Sequence, residues 1–174
     1  MTHAKTKSGI GACARIGGIF QIECFDQAGN LKWKDSAKNL VVKEGLNHLL
    51  NVVFHGTTPV SPWYVGLIAD GPTLDADDTL ASHTGWTEDT HYAANRKEFV
   101  EGAASSESIS NSGNAAAFAI NDTVVLAGAF ICSVATTTTG TLFCAAVFTQ
   151  GDRSVVSGDQ VNVTYTLSAA DDGV

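Results

Sequence analysis

Alternating apolar and polar positions predict the first strand of this chain at residues 19–25. Its inward-facing residues would be Phe20, Ile22 and Cys24. Residues 26–30 form a turn-like stretch rich in Asp, Asn and Gly, and the alternation then resumes over residues 31–34. The pattern therefore predicts that a β-hairpin opens the folded part of the chain.

A helical period follows at residues 44–54, where apolar side chains recur three and four positions apart. These side chains are Leu46, Leu49, Leu50 and Val53. After a loop rich in Gly and Pro, residues 63–68 are mostly apolar, which is typical of a strand covered on both faces. We predict one helix packed on a sheet, with these four apolar side chains buried against it.

The C-terminal part of the chain predicts strands at residues 116–120, 123–134, 141–148 and 160–167. Strands at this spacing with a single helix predict a mainly β fold, either an antiparallel β-sandwich or a jelly-roll-like barrel. No linker divides the sequence. We therefore expect one β-rich domain at residues 18–174, preceded by a flexible basic arm at residues 1–17.

The four cysteines are Cys13, Cys24, Cys132 and Cys144. Cys132 and Cys144 lie symmetrically about Thr138, the middle of a predicted hairpin turn, so they are expected to oppose each other on one face. Such a pair is either a disulfide or two buried thiols acting as small apolar side chains, and nothing in the sequence marks an oxidising compartment. Their spacing matches no zinc-binding pattern.

Residues 70–92 are polar and acidic with little periodicity, which predicts a long surface loop of the kind that often binds a partner. An EF-hand alignment that starts at Asp77 fails, because Ser82 occupies the position that requires Gly. The sequence also has no phosphate-binding loop and no nucleophile elbow. We therefore expect no enzymatic activity, no metal and no cofactor.

The net charge of −8 argues against a nucleic-acid partner, which would require a basic surface. No apolar run is long enough to cross a membrane, and no secretory signal is expected. Residues 1–18 contain Lys5, Lys7 and Arg15 and no acid, whereas the rest has 7 basic and 18 acidic side chains, a balance of −11. A basic arm on an acidic body is typical of an interaction tail, and a solvated terminus is the alternative.

Five stretches of the sequence together resemble a family of small virion proteins of tailed bacteriophages. They are Asp26 to Trp33, Lys38 to Leu50, Trp63 to Ile68, Gly85 to Glu88 and Gly158 to Thr166. The resemblance implies a structural protein, most plausibly a decoration (cement) protein on the capsid exterior, assembled in the host cytoplasm. It further implies a homo-oligomer, with a trimer favoured, that bridges subunits of the major capsid protein.

Two other classes of function stay open on the sequence alone. A tail or receptor-binding module would use residues 70–92 and 102–114 as binding loops. A hydrolase whose site is assembled from distant residues would leave no local motif.

Overall fold

Two antiparallel β-sheets and one α-helix make up the residues that the computed structural model describes, 14–170. In chain order the elements are β1 (Arg15–Phe25), β2 (Leu31–Lys38), β3 (Leu40–Val41), α1 (Lys43–Phe54), β4 (Tyr64–Ala69), β5 (Glu88–Asp89), β6 (Lys97–Glu98), β7 (Ser108–Ser110), β8 (Ala116–Ala119), β9 (Val124–Cys132), β10 (Leu142–Val147), β11 (Arg153–Val155) and β12 (Gln160–Ala170). The first sheet has the order β2-β1-β12-β7, with β8 also paired to β12. The second has the order β3-β10-β9-β4-β5, and β11 and β6 pair with β9 and β4.

The two sheets pack together as an antiparallel β-sandwich, which confirms one of the two predicted architectures. The other architecture, a jelly-roll-like barrel, is not found, because the described strands stay in two sheets that do not close on each other. β1 and β12 run antiparallel along their whole lengths, from the pair Arg15–Ala170 to the pair Phe25–Gln160. The predicted alternation of β1 is confirmed, since Phe20, Ile22 and Cys24 are fully buried.

The main hydrophobic core lies between the sheets. The first sheet contributes Phe20, Ile22, Phe118, Val163 and Tyr165, and the second contributes Val65, Leu67, Ile131, Phe143 and Cys144. Aromatic contacts join neighbouring strands here: the rings of Phe20 and Tyr165 have centroids 4.4 Å apart. Burial of these large apolar surfaces is the main driving force for folding.

A second hydrophobic cluster covers the outer face of the second sheet. It contains Val42, Ile68, Leu80, Trp86, Phe130, Cys132, Leu142 and Ala145. Leu80 and Trp86 belong to the acidic segment 70–92, so this segment is a packed cover and not the solvated loop that its composition predicts. Its few apolar side chains are the ones that face the sheet, while most of its polar residues face solvent.

The helix forms where it was predicted, but its orientation differs from the prediction. Three of the four residues expected to be buried, Leu46, Leu50 and Val53, are exposed, and only Leu49 packs against the main core. The buried helical residue is Gly45. Successive residues are about 100° apart around a helix, so a helix that turns Gly45 and Leu49 inward turns Leu46 and Leu50 outward.

The first strand begins before the predicted arm boundary at residue 17. Arg15, Ile16 and Gly17 belong to β1, where they pair with Ala170, Ala169 and Ser168. Apolar and polar residues do not alternate clearly in this glycine-rich stretch, so the sequence does not predict a strand there. The strand is stabilised by its pairing with β12. Lys5 and Lys7 lie outside the described residues.

The predicted opposition of Cys132 and Cys144 is wrong. Cys132 pairs with Leu142, so the hairpin is centred one residue before Thr138, and a bulge in β10 between residues 142 and 144 then pairs Cys144 with Ile131. Cys144 therefore points into the main core and Cys132 into the outer cluster. Both are free thiols, as is Cys24, so the alternative of buried thiols holds.

Candidate interaction surface

An uncovered apolar stripe runs along α1. Leu46, Leu50, Val53 and Phe54 are 38%, 52%, 61% and 81% exposed. Their spacing of four, three and one residues places them on one side of the helix. We call these four residues the α1 face. Sequence reasoning identified three of them but assigned them to the core, and it missed Phe54, whose four-residue spacing from Leu50 is a signal for the same stripe.

An apolar cavity of about 290 Å³ opens beside this stripe, at one end of the sandwich. Both sheets contribute to its lining, through Ile131 and Phe143 on one side and through Ile109, Tyr165 and Leu167 on the other. The helix adds His48, Leu49, Val52 and Val53, and the loop after the helix adds Pro59, Val60 and Trp63. We call this space the end cavity. The sequence did not predict this cavity, because its lining residues come from seven separated parts of the chain.

Trp63 forms one wall of the end cavity and holds the helix beside it. Its ring lies edge-on to His48, with centroids 5.3 Å apart, and edge-on to Phe143 at 5.6 Å. Edge-to-face aromatic contacts of this kind are worth about 0.5–1.5 kcal/mol beyond area burial. His48 is therefore a packing residue at the boundary between helix and cavity.

The N-terminal end of α1 is fixed by Glu44. One oxygen of its carboxylate accepts hydrogen bonds from the backbone N–H groups of Leu142 at 2.6 Å and Leu80 at 3.1 Å. The helix N-terminus also favours a negative charge in its first turn. One side chain thus joins the helix to β10 and to the cover segment 70–92, and this fixes the direction in which the α1 face points.

The carboxylates of the cover segment are used to hold the segment together. Asp78 accepts hydrogen bonds from the indole N–H of Trp86 and from its own segment's backbone, at 3.0 and 2.9 Å. Glu88 accepts two hydrogen bonds from Arg96, at 2.8 and 2.6 Å, in a bidentate ion pair. The remaining Arg96 donor bonds the carbonyls of Val134 and Thr137. Most of the acidic charge predicted to bind a partner has a structural role.

Another buried carboxylate, Asp159, lies at the other end of the sandwich. It forms an ion pair with Lys32 and accepts a hydrogen bond from the backbone N–H of Val156 at 2.9 Å. Burial, followed by the charge of Asp159, raises the pKa of the nearby Cys24 thiol to about 11. Cys24 is therefore protonated at neutral pH, which disfavours the nucleophilic thiolate form.

The described part of the chain contains no cluster of three or more His, Cys, Asp or Glu side chains that could hold a metal ion. Within residues 14–170, no helix has the length and apolar character needed to cross a membrane. What these residues do offer is a continuous apolar surface made of the α1 face and the end cavity, which share Val53. Apolar side chains of a partner are the chemical complement of such a surface.

The residues that carry the sequence resemblance occupy structural positions. Asp26 accepts the hydrogen bonds of the first turn, from the backbone N–H groups of Ala28 and Asn30 at 2.9 and 2.8 Å. Asn39 bonds the hydroxyl of Tyr165 at 2.9 Å. Glu44, Trp86 and Asp159 have the roles given above. Leu46 and Leu50 of the α1 face belong to the same five stretches but are exposed.

No protein-family model matches the sequence, and no curated protein matches it significantly.

Proposed function

We propose that this protein is a capsid decoration protein of a tailed bacteriophage. In this role it binds the capsid exterior as a homo-oligomer, with a trimer favoured, and stabilises the particle by bridging major capsid protein subunits. It acts by binding and not by catalysis. The proposal combines the resemblance of five stretches of the sequence with one feature of the fold.

That feature, the exposed α1 face, carries the proposal. Four large apolar side chains lie side by side on a helix, and Phe54 is almost fully exposed. Monomeric proteins rarely expose a large contiguous apolar patch, and such patches mark protein interaction sites. The α1 face is therefore the proposed contact with the capsid or with a second subunit.

The charge distribution supports a second contact through the arm. Lys5 and Lys7 precede a body with a strong acidic excess. A basic arm of this kind is attracted to an acidic patch on a neighbouring capsid subunit, and electrostatic attraction raises the rate of association. Arg15, the third basic residue of the predicted arm, lies at the first position of β1.

The α1 contact is tested with a pair of matched variants. Leu50 and Leu31 are 52% and 50% exposed, but only Leu50 belongs to the α1 face. Leu50→Glu and Leu31→Glu are added separately to particles that lack the protein, and bound protein is measured by co-sedimentation. We expect Leu50→Glu to lose most of its binding and Leu31→Glu to bind like the parent. Equal binding by both variants would contradict the α1 contact, and a parent protein that never sediments with capsids would contradict the decoration role.

The alternative of a tail or receptor-binding module predicts a different stoichiometry. A decoration protein is present in a copy number comparable to that of the major capsid protein, whereas a tail module is far less abundant. Quantitative mass spectrometry of purified particles separates the two. The segment 70–92, which the tail hypothesis requires as a binding loop, packs Leu80 and Trp86 into the outer cluster, and this favours the capsid role.

A further inference from the structure

The end cavity lies close to the point where the described chain begins. β1 starts at Arg15, which pairs with Ala170, and Gly18 pairs with Leu167, a lining residue of the cavity. Gly18 lies three positions after Arg15, a distance of about 10 Å along the strand at the usual rise per residue. Ile109, on the strand beside β12, pairs with Leu167 and also lines the cavity.

The segment that precedes Arg15 has one apolar side chain suited to such a cavity. Ile10 lies between Gly9 and Gly11, and the other large apolar residue of 1–13 is Met1. Ile10 lies five positions before Arg15, which allows a reach of up to about 17 Å in an extended chain. Glycine on each side permits the reversal that a return along β12 requires. The distance from Arg15 back to Leu167 is within that reach.

Charge favours the same placement. The segment 1–13 carries Lys5 and Lys7 and no acid. Glu101 lines the end cavity. Basic residues of the segment would be attracted to this carboxylate.

We propose that the end cavity is the docking site of this chain's own segment 4–13, with the Ile10 side chain inserted among Trp63, Phe143 and Leu167. The volume of about 290 Å³ suits a branched aliphatic side chain with its backbone, since cavities that hold drug-sized ligands start near this size. Docking places Lys5 and Lys7 at the end of the sandwich, beside the α1 face. The inference is independent of the proposed function, because it concerns the isolated protein.

A designed disulfide tests the docking directly. In a Cys13→Ser background, Ile10→Cys is combined with Val60→Cys, which lines the cavity. The matched control combines Ile10→Cys with Val125→Cys, which lies six residues along β9 from the cavity residue Ile131, about 20 Å away. We expect the first pair to oxidise several-fold faster than the control, within one chain. Mixing isotope-labelled and unlabelled protein before oxidation reveals whether the bond joins one chain or two.

Two results would overturn the proposal: equal oxidation rates for the two pairs, or a cavity disulfide that forms only between chains, which would assign the cavity to the arm of a second copy.

An independent measurement uses an apolar dye, 1-anilinonaphthalene-8-sulfonate. Ile10→Asp should increase the dye fluorescence several-fold, because a buried carboxylate is strongly disfavoured, while Thr6→Asp makes the same charge change and should not. An equal response of the two variants would also contradict the docking. Neither experiment involves capsids, so failure here leaves the decoration role untouched.

Discussion

A Cβ atom placed on Gly45 would lie 2.3 Å from the carbonyl oxygen of Phe143 and 2.8 Å from its Cα. The helix thus contacts the backbone of β10 directly at its first turn. This close approach determines which side of α1 faces the sandwich, and hence which side presents Leu46, Leu50, Val53 and Phe54 to solvent. The contact of Gly45 with Phe143 and the hydrogen bonds of Glu44 together orient the exposed surface on which the proposed function depends.

Gly45→Ala should destabilise the protein although alanine is the better helix former. The methyl group gains about 1 kcal/mol in helix propensity, but overpacking against a rigid backbone costs about 1–3 kcal/mol. We expect a net loss in the free energy of unfolding, measured by urea denaturation. Gly102→Ala is the control, because nothing lies within 4 Å of a Cβ at that position. A Gly45→Ala variant more stable than the parent would show that the helix can move away from β10.

Leu49 and Leu50 are neighbours in sequence with different surroundings. Leu49 packs against the main core and Leu50 is exposed. Leu49→Ala should cost about 1–2 kcal/mol, less than the ~2–5 kcal/mol of a fully buried leucine, and Leu50→Ala should stay within about 0.5 kcal/mol of the parent. Chemical denaturation of both variants measures the difference. A larger loss for Leu50→Ala would mean that the helix is rotated relative to the structure.

Leu80 tests whether the acidic segment belongs to the core. Its side chain is buried against the outer face of the second sheet. Leu80→Ala should therefore lower the free energy of unfolding by about 2–5 kcal/mol. Leu31→Ala, at an exposed leucine, is the control and should change it by less than about 0.5 kcal/mol. If Leu80→Ala were equally mild, segment 70–92 would be a detachable loop, and the tail alternative would gain support.

Glu88→Gln should destabilise the protein by leaving the buried guanidinium of Arg96 without its ionic partner. The Arg96 side chain is 4% exposed and makes both bidentate bonds to Glu88. Hydrogen bonds to charged groups are worth about 1.5–3 kcal/mol, and we expect a loss of this size. The double variant Glu88→Gln with Arg96→Met should be more stable than the sum of the single changes predicts, because no unpaired charge remains buried. Additive losses in thermal and urea unfolding would show that the pair is not coupled.

Cys144 should make the stability depend on alkaline pH. Burial raises the pKa of its thiol from an ordinary value of 9.0 to about 12. Above about pH 9 the unfolded chain binds fewer protons than the folded one at this site, so the free energy of unfolding falls as the pH rises toward the folded pKa. The slope from one such group is about 1.4 kcal/mol per pH unit.

The measurement compares the parent with Cys144→Ala by urea denaturation from about pH 6 to about pH 10.5. The two curves should be parallel near neutral pH, where the thiol is protonated in both states. Above about pH 9 the parent should lose stability more steeply than the variant. Parallel curves throughout the range would indicate that solvent reaches the Cys144 thiol in the folded protein.

Local patterns in the sequence determined much of the architecture. Alternation identified β1 and most of β12, and the helical period located α1 to within a residue of its observed start. These features depend on neighbours in the chain, because a pleated strand repeats every two residues and a helix every 3.6. The acidic composition and the absence of local catalytic motifs are likewise properties of the sequence alone.

Only the tertiary structure decided which apolar side chains are covered. The period of α1 shows that Leu46, Leu49 and Leu50 lie near one another, but the contact between Gly45 and Phe143 decides which of them is buried. A one-residue bulge in β10 places Cys132 and Cys144 on opposite faces of the sheet, and no local sequence pattern marks this bulge. Leu80 and Trp86 cover the outer face of the sheet from a segment that composition alone assigns to solvent. In each case the deciding interaction joins residues far apart in sequence, where period and propensity carry no information.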